Sequence, residues 1–273
     1  MNRSSGKLLA IETTDMQGSI AFCENGHLII ERKLPVGQRS AQSLVPSIHS
    51  ALAQLNWKTT EINCVAVAIG PGSFTGLRVG LTTAKIIAWA IQAKIVGVNV
   101  LQSIAAGVPV ANDDFVVSAA MDAQRNEVVV QHFLIRNHSP SIPIAIEKNF
   151  QILSVKDWLQ NKNKIKLSEV KVWENNTENN FFSFVDLLSP ERNIDSEVDC
   201  YLCGPVLKRW KNIVSETQNK FWLPAAYWFP SASQIAKIAW DRFSKNDFDD
   251  IWKIKPIYSR RSAAEEKMDL IKS

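Results

Sequence analysis

Six apolar residues in a row, Cys64 to Ile69, are followed by Gly70-Pro71-Gly72 and then by a long stretch whose polar side chains fall on one line. The apolar run is rich in β-branched residues and predicts a strand buried on both faces of a largely parallel sheet. The Gly-Pro-Gly triplet ends it, and either Ser73 or Thr75 can cap the helix that follows. On that helix Arg78, Thr82, Lys85, Trp89 and Gln92 recur every three or four residues. Leu77, Leu81, Ala84, Ala88 and Ile91 form an apolar stripe that Val79, Thr83, Ile86, Ile87 and Ala90 widen. A helix apolar over most of its circumference must be covered on more than one side. Its own sheet supplies one cover; a second helix, from this chain or another, is expected to supply the next.

The same patterns place the other elements. Lys7 to Ile11, Ser19 to Cys23 and His27 to Lys33 alternate as strands, the last two joined by Glu24-Asn25-Gly26, a hairpin signal. A helix is expected over 41–55, with Leu44, Ile48, Leu52 and Leu55 on one face. A strand over Ile95 to Val98 and a helix from about Val100 follow. At Phe115 the order restarts: strand to Met121, acidic turn Asp122-Ala123-Gln124-Arg125, strand from Glu127 to Leu134. Strand, acidic turn and strand thus occur twice, with Glu12 and Asp122 in corresponding turns, which suggests an internal duplication. Beyond it come a helix from Ser154, a lysine-rich run, the polar stretch 174–180, a short strand ending at Gly204-Pro205, and an amphipathic helix over 231–243. Residues 256–260 are expected to return to the body and 263–273 to fray.

At 273 residues, 46% apolar and 21% charged, the chain has room for two globular domains, and its net charge of +4 permits but does not demand a nucleic acid nearby. No uncharged apolar run of membrane-spanning length and no signal-peptide core is present, so cytoplasmic residence is the expectation. Four cysteines, at 23, 64, 200 and 203, sit mostly in strand-like runs and read as reduced, buried thiols.

Candidate chemistry is sparse. The glycine-rich turn fits neither a P-loop, since no Lys-Ser or Lys-Thr follows Gly76, nor GxGxxG, since Gly70, Gly72 and Gly76 are spaced two and four. Amides at the helix N-terminus could still attract an anion. Glu12-Thr13-Thr14 ends a strand where nucleotide-binding enzymes hold a metal-bound water, although a turn carboxylate with hydroxyl partners is the plainer reading. Asp122 with Arg125 resembles a turn ion pair, and Glu127 an exposed strand start. Cys200-Tyr201-Leu202-Cys203 is a solitary CxxC whose thiols face opposite sides of a strand. The histidines at 27, 49, 132 and 138 have no metallopeptidase spacing, and Ser73 breaks the GxSxG order. Lys156, Lys162, Lys164, Lys166 and Lys171 with Trp158 and Trp173 could meet a polyanion but read first as a solvated face.

The stretch Ile69 to Lys85, IGPGSFTGLRVGLTTAK, closely resembles the signature of the TsaB (YeaZ) family, bacterial partner proteins in threonylcarbamoyladenosine synthesis on tRNA. Leu9-Ala10-Ile11-Glu12-Thr13, Leu44-Val45-Pro46, Met121-Asp122-Ala123 and Pro256-Ile257-Tyr258-Ser259-Arg260 extend the likeness, strongly to about Gly107 and sparsely beyond. The resemblance implies an α/β chain of the two-domain actin/Hsp70/sugar-kinase (ASKHA) fold, a duplicated βββαβα. The division expected is 1–107, carrying partner-docking helices, and 108–273, with an insert near 161–180 and a returning tail. It also implies a non-catalytic scaffold that pairs with the transferase TsaD, is joined by the ATPase TsaE through that pair, uses no cofactor or metal, and leaves any contact with tRNA indirect or undefined. The interface residues expected are Leu44, Ile48, Leu52, Phe74, Arg78, Val79, Thr82, Thr83, Lys85 and Ile86, and Glu12, Thr13 and Thr14 would be a vestigial nucleotide site. Two alternatives stand beside it: an active acyltransferase or glycopeptidase-like enzyme, and a homodimer built on the same helices.

Overall fold

The computed structural model describes residues 6–137, 142–159, 164–166, 171–173, 181–183, 197–209 and 222–260. Two mixed sheets organise these residues. The first contains β1 (Lys7–Glu12), β2 (Ser19–Glu24), β3 (His27–Lys33), β4 (Ile62–Gly70) and β5 (Lys94–Asn99) in the order β3-β2-β1-β4-β5. β1, β4 and β5 run parallel, as the unbroken apolar run of β4 requires, and β2 and β3 add an antiparallel meander.

The second sheet repeats that plan. β6 (Phe115–Gln124) pairs in parallel with β13 (Glu197–Cys203) and antiparallel with β7 (Glu127–Ile135), as β1 does with β4 and β2. β8 (Ile144–Ala145) and β9 (Gln151–Ser154) both pair with β7, in the place of β3, and β10 (Lys164–Lys166) flanks β13. β11 (Lys171–Trp173) and β12 (Phe181–Ser183) form a separate ribbon. The duplication extends to detail: β4 and β13 each end in a Gly-Pro whose glycine, Gly70 or Gly204, has φ of +122° or +135°, a conformation open to little else.

Helices fill three layers. α1 (Ser40–Leu55) and α2 (Phe74–Ile91) lie on one face of the first sheet. α3 (Val100–Ala106) and α6 (Ala232–Ser244) lie on its other face and fill the space up to the second sheet. α4 (Val155–Leu159) and α5 (Val206–Arg209) cover the far face of the second sheet. Ser231 caps α6 in a reciprocal box, its hydroxyl accepting from the Gln234 N–H while the Gln234 side chain accepts from the Ser231 N–H. α6 belongs to the sequence assigned to the second half, yet it packs across β1, β2, β4 and β5, because Ile235, Ile238 and Ala239 complete the core around Leu8, Ala10 and Val98.

Trp158 departs from the expected solvated lysine face. It is fully buried beneath the second sheet, its indole N–H donating to the Ser118 hydroxyl at 2.9 Å. Of the lysine run, Lys162 lies outside the described residues, as do 174–180 and the tail 263–273. No helix among the described residues is long and apolar enough to cross a membrane.

Candidate functional site

Two places concentrate the residues singled out above: the turn after β1 and the outer face of α1 and α2. In the first, Glu12, Thr13 and Thr14 are all buried. Thr13 donates its hydroxyl to the Gly76 carbonyl at 2.8 Å, and the Thr14 carbonyl accepts from the Ser73 N–H at 2.9 Å. Ser73, not Thr75, caps α2, accepting from the Gly76 N–H. The approach is close enough that a Cβ on Gly76 would stand 1.8 Å from the Thr13 carbonyl oxygen, so the first turn of α2 sits directly on the end of β1.

Glu12 Oε1 accepts from the Thr14 N–H at 2.6 Å and from the Thr14 hydroxyl, whereas Oε2 is buried with no hydrogen-bond partner. Burial pushes this carboxyl up to about 7; the Thr14 hydroxyl and amide pull it back, and the neighbouring Asp15 carboxylate adds to the rise. Of the three residues expected as a vestigial nucleotide site, Thr13 and Thr14 direct their hydroxyls within the chain, and all three are buried. The corresponding turn of the second half is tied down differently. Asp122 accepts from the Gln124 N–H at 2.7 Å and pairs with Arg209, and Glu127, expected as an exposed strand start, pairs with Arg260.

Arg260 ends a strap that sequence pattern showed only as a returning tail. Asp249 joins β5 through its N–H to the Ile95 carbonyl and its carboxylate to the Gly97 N–H, Ile257 donates to the Ile69 carbonyl at 2.6 Å, and the Tyr258 ring stacks on Phe74 at 4.6 Å. Tyr258 also accepts from Arg78 Nε at 3.2 Å. Strap and α2 are thereby one unit.

On the second place, the expected interface divides in two. Leu44, Ile48 and Leu52 are buried against Leu81, Ala84 and Ala88, so they hold α1 to α2 and to the sheet rather than facing a partner; the stripe marked the helix's inward face. Phe74, Val79, Thr83 and Lys85 are half-buried, and Arg78, Thr82 and Ile86 are exposed. Ile86 (60% exposed) and Trp89 (64%) on α2 and Val45 (57%) on α1 are large apolar side chains left in water. Val45 and Trp89 were not among the expected interface residues: Trp89 lies on the polar line of the helix, and Val45 lies off the apolar stripe of α1. Trp252, in the strap, is 75% exposed and had no periodic signal at all.

Cys23, Cys64, Cys200 and Cys203 are free and buried, and burial pushes each thiol up to about 12. Among the described residues no group of three His, Cys, Asp or Glu side chains could hold a metal ion.

Comparison with known proteins agrees with the signature. The family model described as "TsaD: tRNA N6-adenosine threonylcarbamoyltransferase" matches residues 36–267. The tRNA threonylcarbamoyladenosine biosynthesis protein TsaB of Bacillus subtilis (strain 168) is 30% identical over 130 residues, 48% of this chain and 56% of that protein. Its counterpart from Escherichia coli (strain K12) is 32% identical over 122 residues, 45% of this chain and 52% of the other. The chain thus spans about half the length of the curated relatives it matches. The solved structure of YeaZ from Pseudomonas aeruginosa superposes with a TM-score of 0.61 at 17% identity, covering 93% of this chain and 99% of that one, a likeness of fold.

Proposed function

The chain belongs to the TsaD family of tRNA N6-adenosine threonylcarbamoyltransferases and, within it, to the TsaB/YeaZ group, and from that premise we propose that it is a non-catalytic subunit that docks TsaD through the outer face of α1 and α2. The observation carrying this is the trio Val45, Ile86 and Trp89, exposed on α2, which the family signature opens, and on α1 beside it. A transferase of the same fold offers a homologous pair of helices, and four such helices can bury the trio in a standard interface of roughly 1,600 Å². TsaE then joins through the pair, and tRNA is met by the transferase. Cytoplasmic residence follows from that role.

The closed turn at Glu12 supports the non-catalytic part. Thr13 and Thr14 spend their hydroxyls on α2 and on Glu12 rather than offering them to a ligand. The role left to the chain is to present a rigid helical surface, made stiff by Ser73, Gly76 and the Tyr258 strap.

The experiment is co-expression with the host's TsaD. Ile86→Glu and Trp89→Glu each put a charge into the interface and are expected to abolish co-purification while leaving the melting temperature of the isolated chain within a few degrees. Formation of threonylcarbamoyladenosine by a mixture lacking TsaD would overturn the non-catalytic reading and favour the enzyme alternative. A wild-type chain that never co-purifies would overturn the docking reading.

A further inference from the structure

Glu12 is fully buried, and its two carboxyl oxygens are unequally served. Oε1 accepts from both the Thr14 N–H and the Thr14 hydroxyl while Oε2 has no partner, so one polar atom stays unsatisfied in either protonation state. The ionised form bears the heavier penalty, because nothing positive compensates it. β2 sets Ser19 opposite Glu12, with its hydroxyl accepting from the Ala232 N–H at the start of α6, and Glu31 on β3 accepts from the next N–H, that of Ser233. On α2, Arg78 is held over the Phe74 ring and by the Tyr258 hydroxyl. Among the described residues Asp15 is the charged group that bears on Glu12, and it is a second anion; Lys208 of α5, in the other half of the chain, acts on Asp15.

The backbone that has to move to bring water to Oε2 is lightly held. Residues 14–17 lie outside every strand and helix, Met16 and Gln17 are exposed and Asp15 is half-buried, so the segment hides no large apolar side chain. Thr14 is its anchor. Its N–H and hydroxyl are spent on Glu12, its carbonyl accepts from the Ser73 N–H at 2.9 Å, and Gly72 passes so near that a Cβ there would stand 2.6 Å from the Thr14 Cβ. Ser73 in turn caps α2. A segment with few apolar contacts and a single polar anchor opens at far lower cost than the sheet beneath it.

We infer that residues 14–17 are a proton-gated latch: with Glu12 protonated the turn stays shut on Ser73, and ionisation of Glu12 opens it, hydrating the carboxylate and loosening the N-terminal cap of α2. The sign follows from linkage. Burial pushes the carboxyl of the shut turn up to about 7, whereas the hydrated carboxyl of the open turn has the ordinary 4.5, so the shut turn holds the proton more tightly. Opening is therefore favoured as pH rises from 4.5 towards 7 and levels off above it. Between pH 5 and pH 8 those two values raise the open population about seventyfold. The latch acts between β1 and α2 inside this chain and is independent of the docking reading.

Amide hydrogen exchange read by NMR on wild type and Glu12→Gln, from pH 5 to pH 8, tests it. Dividing the two rates at each pH cancels the intrinsic pH dependence of exchange. The Thr14 and Ser73 amides are expected to exchange about seventyfold faster in wild type, relative to Glu12→Gln, at pH 8 than at pH 5, by a route that low urea does not accelerate. The Val65 and Val67 amides, inside β4, are expected to exchange by urea-sensitive global unfolding. A ratio that stays flat with pH would overturn the inference, since Glu12 then gates nothing. Thr14 and Ser73 exchange that follows urea as Val65 and Val67 do would overturn it too, since the turn then opens only with the whole fold. If Glu12→Gln does not fold, wild type carries the test through the Glu12 carboxyl carbon signal, expected to titrate near 7 together with the Ser73 amide signal. A Ser73 amide that stays still while the carboxyl titrates would overturn the latch.

Discussion

Replacing Glu12 by Gln tests whether the first turn is a closed structural element. The amide keeps an oxygen where Glu12 Oε1 accepts from the Thr14 N–H and hydroxyl, and it cannot ionise. In the wild type, burial raises the folded-state carboxyl from 4.5 to about 7. The folded state therefore holds this proton more tightly than the unfolded chain. Both states are protonated below about pH 4.5, and the site then carries no ionisation penalty. As pH rises from 4.5 towards 7 the unfolded chain ionises first and stability falls; above about 7 both forms are ionised and the loss is constant. At about 1.4 kcal/mol for each pH unit, the gap from 4.5 to about 7 is worth about 3 kcal/mol. Urea unfolding of wild type and Glu12→Gln at a series of pH values measures it, and taking the difference cancels every other titrating group and the fixed cost of the new NH2 group beside the buried Oε2 position. The stability of Glu12→Gln relative to wild type is expected to improve by about 3 kcal/mol between pH 4.5 and pH 8. A difference that stays flat across that range would mean that Glu12 is solvated, and the closed turn would be refuted.

Two further perturbations probe the supports of α2 and of the second sheet. Gly76→Ala drives a methyl into the Thr13 backbone carbonyl, which cannot turn aside as a side chain could, so α2 must lift from β1, and a loss of about 3 kcal/mol is expected in urea unfolding, together with weaker TsaD binding. Trp158→Phe keeps most of the buried volume but leaves the Ser118 hydroxyl without its donor, and a loss of about 2 kcal/mol with no change in TsaD binding is expected from the same two assays.

Much of the fold was legible because its signals are local. The apolar run of β4, the Asn25-Gly26 hairpin and the serine before α6 each fix an element within a few residues, and the repeated strand, acidic turn and strand shows the duplication that β1, β2, β4 and β6, β7, β13 realise. What periodicity leaves open is which surface an apolar stripe faces. Leu44, Ile48 and Leu52 make the stripe of α1, and the inside of its own domain claims them; the large apolar side chains left exposed, Val45 and Trp89, lie off the stripe or on the polar line. Long-range pairs were out of reach for a different reason. Nothing near Glu127 or Asp122 in sequence points to Arg260 or Arg209, because such ion pairs are set by how the chain returns across the sheets. The burial of Glu12 has the same origin: it depends on α2 coming down on β1, where Gly72, Gly76 and Gly80 admit the close approach to Thr13 and Thr14.

Hydroxyl-radical footprinting of the chain, free and bound to TsaD, reads the proposed docking face directly. Ile86, Trp89 and Val45 are expected to oxidise readily in the free chain and to be shielded in the complex, while Met16, exposed in the turn after β1, stays equally reactive in both. Undiminished oxidation of Trp89 and Ile86 in a stable complex would show that TsaD sits elsewhere and that the outer face of α1 and α2 is not its docking surface.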